Sequence, residues 1–288
     1  MIVFSGCSSI SLGKKVAHRT NAEIGKIETK KFPDGEIYIR ILSDIKGKEC
    51  AVIQSTKSND DLVKLILLLD LLRDLKASKV YTVVPYLGYA RQDKRFEEGE
   101  ALSAKTIVKI LDEFSDSLIT VNCHFLKRGG ECEFHGIKMG NLDAFPLLAG
   151  YFRDKLEEPM VIAPDKGSLE YAQNAAEIIG CDFDFLEKER ISGEEVRIEE
   201  KDLHIKDKDI LILDDMISTG STIIEAAKFL YTRGVKSVNV GCVHGVFSKG
   251  IEKVRSSVDN LICTDTIERE ISKVTVSGLI ADKLMSMI

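Results

Sequence analysis

Short apolar runs alternate with longer stretches of mixed polarity along the whole chain. Ile2-Val3-Phe4, Cys50 to Ile53, Val80 to Val84, Leu118 to Val121, Met160 to Ile162 and Ile210 to Leu213 are nearly uninterrupted, and each gives way to turn-forming or polar residues. Runs without polar alternation predict strands covered on both faces, as in a parallel sheet. The stretches between them predict helices, one starting near Ile10 and another near Leu169. Leu62 to Leu72, broken only by Lys64 and Asp70, predicts a buried helix that is too short to cross a bilayer. The alternation of strand and helix signals predicts an α/β fold with mostly parallel sheets flanked by helices.

The pattern also repeats. Met1-Ile2-Val3, a Gly-Ser loop and a helix correspond to Met160-Val161-Ile162, the loop Pro164 to Ser168 and a helix, about 160 positions later. At nearly the same offset Ile39-Arg40-Ile41 meets Val196-Arg197-Ile198, Cys50 to Ile53 meets Ile210 to Leu213, and Ser78-Lys79-Val80 meets Lys236-Ser237-Val238. A near-constant offset through successive elements predicts two tandem copies of one α/β domain, although any two βα units share some hydrophobic pattern. The expected boundary puts residues 1–143 in the first domain and 144–275 in the second, with a last helix over about 276–288 packing back on the first.

The stretch Ile210 to Thr222, ILILDDMISTGST, carries the clearest chemistry. Its order predicts a buried strand, a loop and a helix start. Backbone N–H groups there, with the hydroxyls of Ser218, Thr219, Ser221 and Thr222 and a permissive Gly220, make a cradle for a phosphate. Asp214 and Asp215 just before it could hold sugar hydroxyls or a metal. The matching stretch of the first copy has Gln54-Ser55 and Lys57 to Asp61 instead, so only the second copy is expected to keep a sugar-phosphate site.

Composition narrows the classes. At 288 residues two domains are expected, and 44% hydrophobic with 30% charged residues describes a globular protein. Forty Lys plus Arg against 46 Asp plus Glu leave a net charge of −6, which offers nucleic acid no broad basic surface. No membrane partner and no signal peptide are expected, since the chain opens directly on a strand-like segment. Seven scattered cysteines without a C-x-x-C pair fit reduced thiols in a cytoplasm.

Further segments admit two readings each. After Val84, the residues Pro85 to Phe96 place Arg91, Gln92, Asp93, Lys94 and Arg95 with two tyrosines at a strand's carboxyl end; they suit a polyphosphate bearing an aromatic base, or form a solvated basic turn. Phe32-Pro33-Asp34-Gly35-Glu36 is a turn with an exposed aromatic, or a stacking ring with carboxylates for a purine's amino edge. His124, ending the strand after Asn122-Cys123, could bind a metal or a phosphate oxygen, or be structural. Cys123, Cys132 and His135 match no usual zinc spacing. In Ala163 to Ser168, the N–H groups of Asp165, Lys166 and Gly167 could hold a diphosphate while Asp165 reaches a metal, or Ser168 simply caps a helix. Glu187 to Glu195 is a solvated hairpin, or a mobile loop that brings Lys188 and Arg190 over a transferring phosphoryl group.

Taken together, FPDGE, PYLGYARQDKR, APDKG, the KER loop and LILDDMISTGST, in that order over essentially the whole chain, resemble the ribose-phosphate pyrophosphokinase family, and its archaeal members in length. The resemblance implies two phosphoribosyltransferase-type domains and transfer of the diphosphoryl group of ATP to ribose 5-phosphate with magnesium. It implies that Asp214, Asp215 and Ser218 to Thr222 hold ribose 5-phosphate, and that Asp165, Lys166 and Gly167 border the diphosphate. Asp165 and His124 would lie near the metal. It further implies that Arg91, Gln92, Asp93, Lys94 and His124 flank ATP, that Lys188 and Arg190 are catalytic, and that Phe32, Asp34 and Glu36 receive adenine from a neighbouring subunit of a homo-oligomer, at least a dimer. A noncatalytic regulatory subunit of this fold, or a phosphoribosyltransferase, are the competing readings. Asn122-Cys123-His124 stands where many members have Asp-Leu-His, and Lys127 to Glu133 departs from the common bacterial pattern.

Overall fold

Each of the six short apolar runs named first above falls in a strand that is paired within its sheet. The computed structural model describes residues 1–126, 128–190, 196–198 and 204–288, leaving aside the side chains of 188–190 and 196–198. Two compact units result: Met1–Asp143 with Thr266–Glu268 and Thr275–Ile288, and Ala144–Asp265 with Arg269–Val274.

The first unit begins β1 (Ile2–Ser5), α1 (Ile10–Arg19), β2 (Glu23–Ile24), β3 (Ile27–Lys31), β4 (Ile37–Ile41) and β5 (Glu49–Ile53). It continues α2 (Asn59–Asp74), β6 (Lys79–Val84), α3 (Ser103–Glu113), β7 (Ser117–Val121), β8 (Gly130–Phe134) and β9 (Ile137–Leu142). Its sheet has the order β2-β1-β5-β6-β7-β9-β8, parallel except where β8 and β9 form a hairpin, and β3 and β4 make a separate antiparallel ribbon. Ser58 and Asp61 close a reciprocal cap on α2, which satisfies two backbone donors at its start. Leu65, Leu68, Leu69 and Leu72 bury one face of that helix against the sheet. The expected buried helix is buried on that face only; on the other Val63 is 44% and Leu67 39% exposed.

The second unit runs α4 (Phe145–Phe152), β10 (Pro159–Ala163), a single 3-10 turn over Lys166–Ser168, α5 (Leu169–Ile179), β11 (Asp182–Phe185), β12 (Lys188–Arg190) and β13 (Val196–Ile198). It continues β14 (Asp209–Ile217), α6 (Ser221–Thr232), β15 (Ser237–Gly245), α7 (Glu252–Arg255), β16 (Asn260–Thr264) and β17 (Ser272–Val274). The sheet order is β11-β10-β14-β15-β16-β17, all parallel, with β12 and β13 as a separate antiparallel ribbon. The last helix, α8 (Ser277–Met285), belongs to the first unit and packs on α1, where Arg19 Nε donates to Ser277 Oγ at 3.0 Å.

The two units repeat one topology. β2-β1-β5-β6-β7 matches β11-β10-β14-β15-β16 strand for strand, and each unit carries its ribbon between the second and third sheet strands of the chain. Details beneath the level of pattern repeat as well. Ser78 N–H donates to Lys48 O at 2.9 Å and Lys236 N–H to Lys208 O at 2.8 Å. The Asp116 carboxylate accepts Val80 N–H at 2.6 Å, and the Asp259 carboxylate accepts Val238 N–H at 2.8 Å. Both pairs staple the same strand starts in the two copies.

Candidate active site

In the second unit β10, β14 and β15 are neighbours, so the segments leaving their carboxyl ends share one sheet edge, where ligands of open parallel sheets bind. The boundary expected after Leu213 is corrected: β14 continues to Ile217, so Asp214 and Asp215 are strand residues. The cause is β15, which is long enough to pair Asp214 with Cys242, Met216 with His244 and Ile217 with Gly245. Both acids are half-buried on a held backbone rather than in a loop. Burial, then Cys263, then the Asp214 charge push the Cys242 thiol above its ordinary range, so it stays protonated beside that acid.

Ser218 to Thr222 follow directly, and α6 begins at Ser221. Gly220 is left-handed, with φ at 82°, and a Cβ on it would come within 2.2 Å of Val254 Cγ2, so both the turn and the close approach require glycine. Thr219 and Ser221 hydroxyls lie 3.2 Å apart, and Ile224 N–H closes the first helical turn on Gly220 O at 3.0 Å.

On the same edge, Asp165 accepts Gly167 N–H at 2.9 Å and Ser168 N–H at 3.2 Å. Ser168 makes no side-chain cap bond to α5, so capping falls to Asp165 and the Ser168 alternative is corrected. Two of the loop's N–H groups, those of Gly167 and Ser168, are thus held by the loop's own carboxylate. Lys166 and Gly167 are exposed. Lys188 and Arg190 stand on β12, opposite Ile198 and Val196 of β13; their side chains, and residues 191–195 of the expected mobile loop, lie outside what the structure describes.

In the first unit the positions of the two acids are closed. Gln54, Ser55 and Thr56 are buried; Gln54 Nε2 donates to Asp61 O, Ser55 N–H to Ser9 Oγ at 3.0 Å, and Ser55 Oγ to Thr266 O. This closed polar network occupies the position that Asp214 and Asp215 have in the second unit. Beyond β6, Gly88 approaches Thr56 O so closely that a Cβ would lie 2.2 Å from it, and its N–H donates to Thr56 Oγ1 at 2.9 Å. Arg91 and Lys94 then face solvent, Gln92 and Asp93 are half-buried, and Lys94 Nζ lies 5.3 Å from the Phe96 ring centroid.

Glu100 holds this segment, and sequence reasoning missed it inside an acidic run. Its carboxylate accepts Phe96 N–H at 2.7 Å, Glu97 N–H at 3.2 Å and Gln92 Nε2 at 3.1 Å. The N–H groups of Phe96 and then Glu97 hold its carboxyl below the usual range. A single glutamate three or four residues past a basic turn leaves no periodic signal.

At the end of β7, next to β6, Asn122 is left-handed with φ at 36°, a conformation asparagine tolerates, and its Nδ2 donates to Asp143 Oδ1 at 2.9 Å. An aspartate there would face a second carboxylate; asparagine donates to it instead. His124 is exposed at this edge. Phe32, Asp34 and Glu36 are exposed at the tip of the β3–β4 ribbon, where Phe32 N–H donates to Glu36 O at 2.8 Å and the Phe32 ring meets Tyr38 edge-on at 6.2 Å. Lys31 pairs with Asp60 at 2.7 Å, which ties the ribbon to the start of α2. No group of three or more metal-ligating side chains is gathered among the described residues.

Residues 1–114 match the family model for the N-terminal domain of ribose phosphate pyrophosphokinase, and residues 144–276 the phosphoribosyl transferase domain. The chain is 43% identical over 279 residues to ribose-phosphate pyrophosphokinase 2 of Archaeoglobus fulgidus, covering 96% of this chain and 97% of that one. It is 40% identical to the ribose-phosphate pyrophosphokinase of Methanothermobacter thermautotrophicus, covering 96% and 98%. The chain belongs to the ribose-phosphate pyrophosphokinase family. Its fold is that of the family too: phosphoribosylpyrophosphate synthetase from Mycobacterium smegmatis superposes with a TM-score of 0.84 at 24% identity, covering 99% of this chain and 98% of that one. Among the described residues no helix is long and apolar enough to cross a membrane.

Proposed function

We propose that the chain transfers the diphosphoryl group of ATP to the anomeric hydroxyl of ribose 5-phosphate, giving PRPP and AMP. The observation that carries this reading is the likeness of both domains, nearly end to end, to ribose-phosphate pyrophosphokinases, in a chain whose second unit retains the glycine-bearing cradle after Asp214-Asp215. A single-domain phosphoribosyltransferase accounts for the cradle but not for the first 114 residues matching the pyrophosphokinase N-terminal domain.

In this reading Ser218 to Thr222 bind the 5-phosphate, and Asp214 and Asp215 hold the ribose hydroxyls so that the anomeric oxygen faces the β-phosphorus of ATP. That oxygen forms the new P–O bond, the bond to the α-phosphate bridge breaks, AMP departs with the electron pair, and the hydroxyl proton is released. Displacement in line needs alignment and charge neutralisation more than covalent help. Lys188 and Arg190 supply positive charge where it builds up, Arg91 to Lys94 and His124 flank the nucleotide, and Lys166 and Gly167 border the diphosphate. The side chains named for the metal suit magnesium: a carboxylate such as Asp165 and an imidazole such as His124, with no group of three ligating side chains among the described residues, fit an ion that would keep its waters and bind mainly through substrate phosphates. Bound with ATP, it would neutralise phosphate oxygens.

Adenine is received by Phe32, Asp34 and Glu36 of a neighbouring copy, which makes the working form a homo-oligomer; a tip aromatic 47% exposed supports this. Incubation with ATP, ribose 5-phosphate and magnesium should yield AMP and PRPP in equal amounts. No AMP above a blank overturns the reading.

A further inference from the structure

A cradle of N–H groups binds phosphate well only if the peptide planes are held before the ligand arrives. Each plane carries a C=O and the next residue's N–H pointing in opposite directions. Ile217 C=O therefore sets the direction of Ser218 N–H, and Ser218 C=O that of Thr219 N–H.

Both carbonyls are held from behind by one segment. Val246 N–H and Phe247 N–H converge on Ile217 O at 3.1 and 3.0 Å, and Ser248 N–H donates to Ser218 O at 3.0 Å. The planes that contain the Val246 and Phe247 N–H groups end, on their far sides, in Gly245 O and Val246 O. Arg269 takes both: its Nε donates to Gly245 O and its Nη2 to Val246 O. Its guanidinium also lies 5.5 Å from the Phe247 ring centroid, and Phe247 is buried in the left-handed conformation at φ 46°. Arg269 is itself fixed, since its N–H donates to Ser272 Oγ at 3.0 Å and its carbonyl accepts Ser272 N–H at 3.0 Å.

We infer that Arg269 is a positioning residue for the ribose-phosphate cradle, acting through the Gly245–Val246 and Val246–Phe247 peptide planes on the N–H group of Ser218. The inference rests on the proposed reading of that cradle as the 5-phosphate site. A cation on a carbonyl oxygen makes the N–H of the same peptide a stronger donor, and hydrogen bonds in series polarise one another. The relay runs from guanidinium to carbonyl, across the peptide to an N–H, onto Ile217 O, and across a second peptide to Ser218 N–H. Its polarity suits an anion at the far end. Arginine does this because its fork presents two donors at fixed spacing, which the single ammonium of lysine does not.

The test compares wild type with Arg269→Ala and Arg269→Lys. Calorimetric binding of ribose 5-phosphate should weaken at least tenfold in Arg269→Ala and by an intermediate factor in Arg269→Lys, while the KM for ATP moves less than twofold. Amide exchange at Ser218 in the unliganded protein should quicken in both variants, with exchange in the β10 and β14 core unchanged. Exchange needs neither ligand nor turnover, so it judges the relay even if the wild type proves to make no AMP. Unchanged exchange and unchanged ribose 5-phosphate affinity overturn the inference, and so do parallel rises in both substrates' constants. Should Arg269→Ala not fold, Arg269→Lys decides alone, wild-type exchange and affinity being the overturning result.

Discussion

Asp165 Oδ1 accepts the N–H of Gly167 at 2.9 Å, so the carboxylate of this loop sits on a donor for which a diphosphate bound here would compete. An incoming anion has to replace it. Asp165→Ala should then bind free pyrophosphate more tightly, by roughly threefold to tenfold, while losing magnesium-dependent turnover and about 1 kcal/mol of stability with the cap. Asp165→Asn, which keeps an acceptor, should retain most of the stability. Inhibition constants for pyrophosphate and thermal melts measure both; weaker pyrophosphate inhibition in Asp165→Ala would sink the idea of displacement.

A Cβ on Gly220 would lie 2.2 Å from Val254 Cγ2, closer than a side chain tolerates, and the residue is in a left-handed conformation. Gly220→Ala should cost about 1–3 kcal/mol and weaken ribose 5-phosphate binding. Adding Val254→Ala should restore the steric part and leave the conformational part, so the double variant falls between wild type and Gly220→Ala. Thermal unfolding of the three variants resolves the two contributions; a double variant no better than Gly220→Ala removes the steric one.

Lys188→Ala and Arg190→Ala should each lower kcat by roughly a hundredfold or more, with little change in either KM, because charge stabilisation is felt in the transition state. Steady-state kinetics with both substrates varied is the measurement. A raised KM at normal kcat would assign the β12–β13 ribbon to substrate binding instead.

In the proposed reading Phe32→Ala should damage the adenine site, and Asp215→Asn the ribose site. If adenine is read by a neighbouring copy, mixing the two inactive variants and allowing subunits to exchange should regenerate activity, up to roughly a quarter of wild type for random dimers. A monomeric mass in solution with full activity contradicts the shared site.

Much of this architecture was legible in one dimension. Uninterrupted runs such as Ile210 to Leu213 read directly as strands, because a strand covered on both faces has no solvent side to record. The repeat was legible for the same reason, since each copy must bury the same strands, and the anchors at Ile39 and Val196 fall on β4 and β13, the second strands of the two ribbons. Those ribbons also show that Phe32 to Glu36 and residues 191–195 are counterparts, each the stretch between two paired strands.

What composition and spacing determined by themselves was the two-domain organisation, the strand-helix order, and that the acids and Ser-Thr-Gly run of the second copy have no like residues in the first. Only the tertiary structure decided that Asp214 and Asp215 are strand residues, because β15 rather than their own sequence extends the pairing. It alone showed Asp165 closing its own loop, Glu100 pinning the basic turn, and Arg269 reaching the carbonyls behind Ile217. Hydrophobic periodicity records which faces are buried. It holds no record of which carbonyl a distant guanidinium will meet, since that depends on how separate strands bring their ends together.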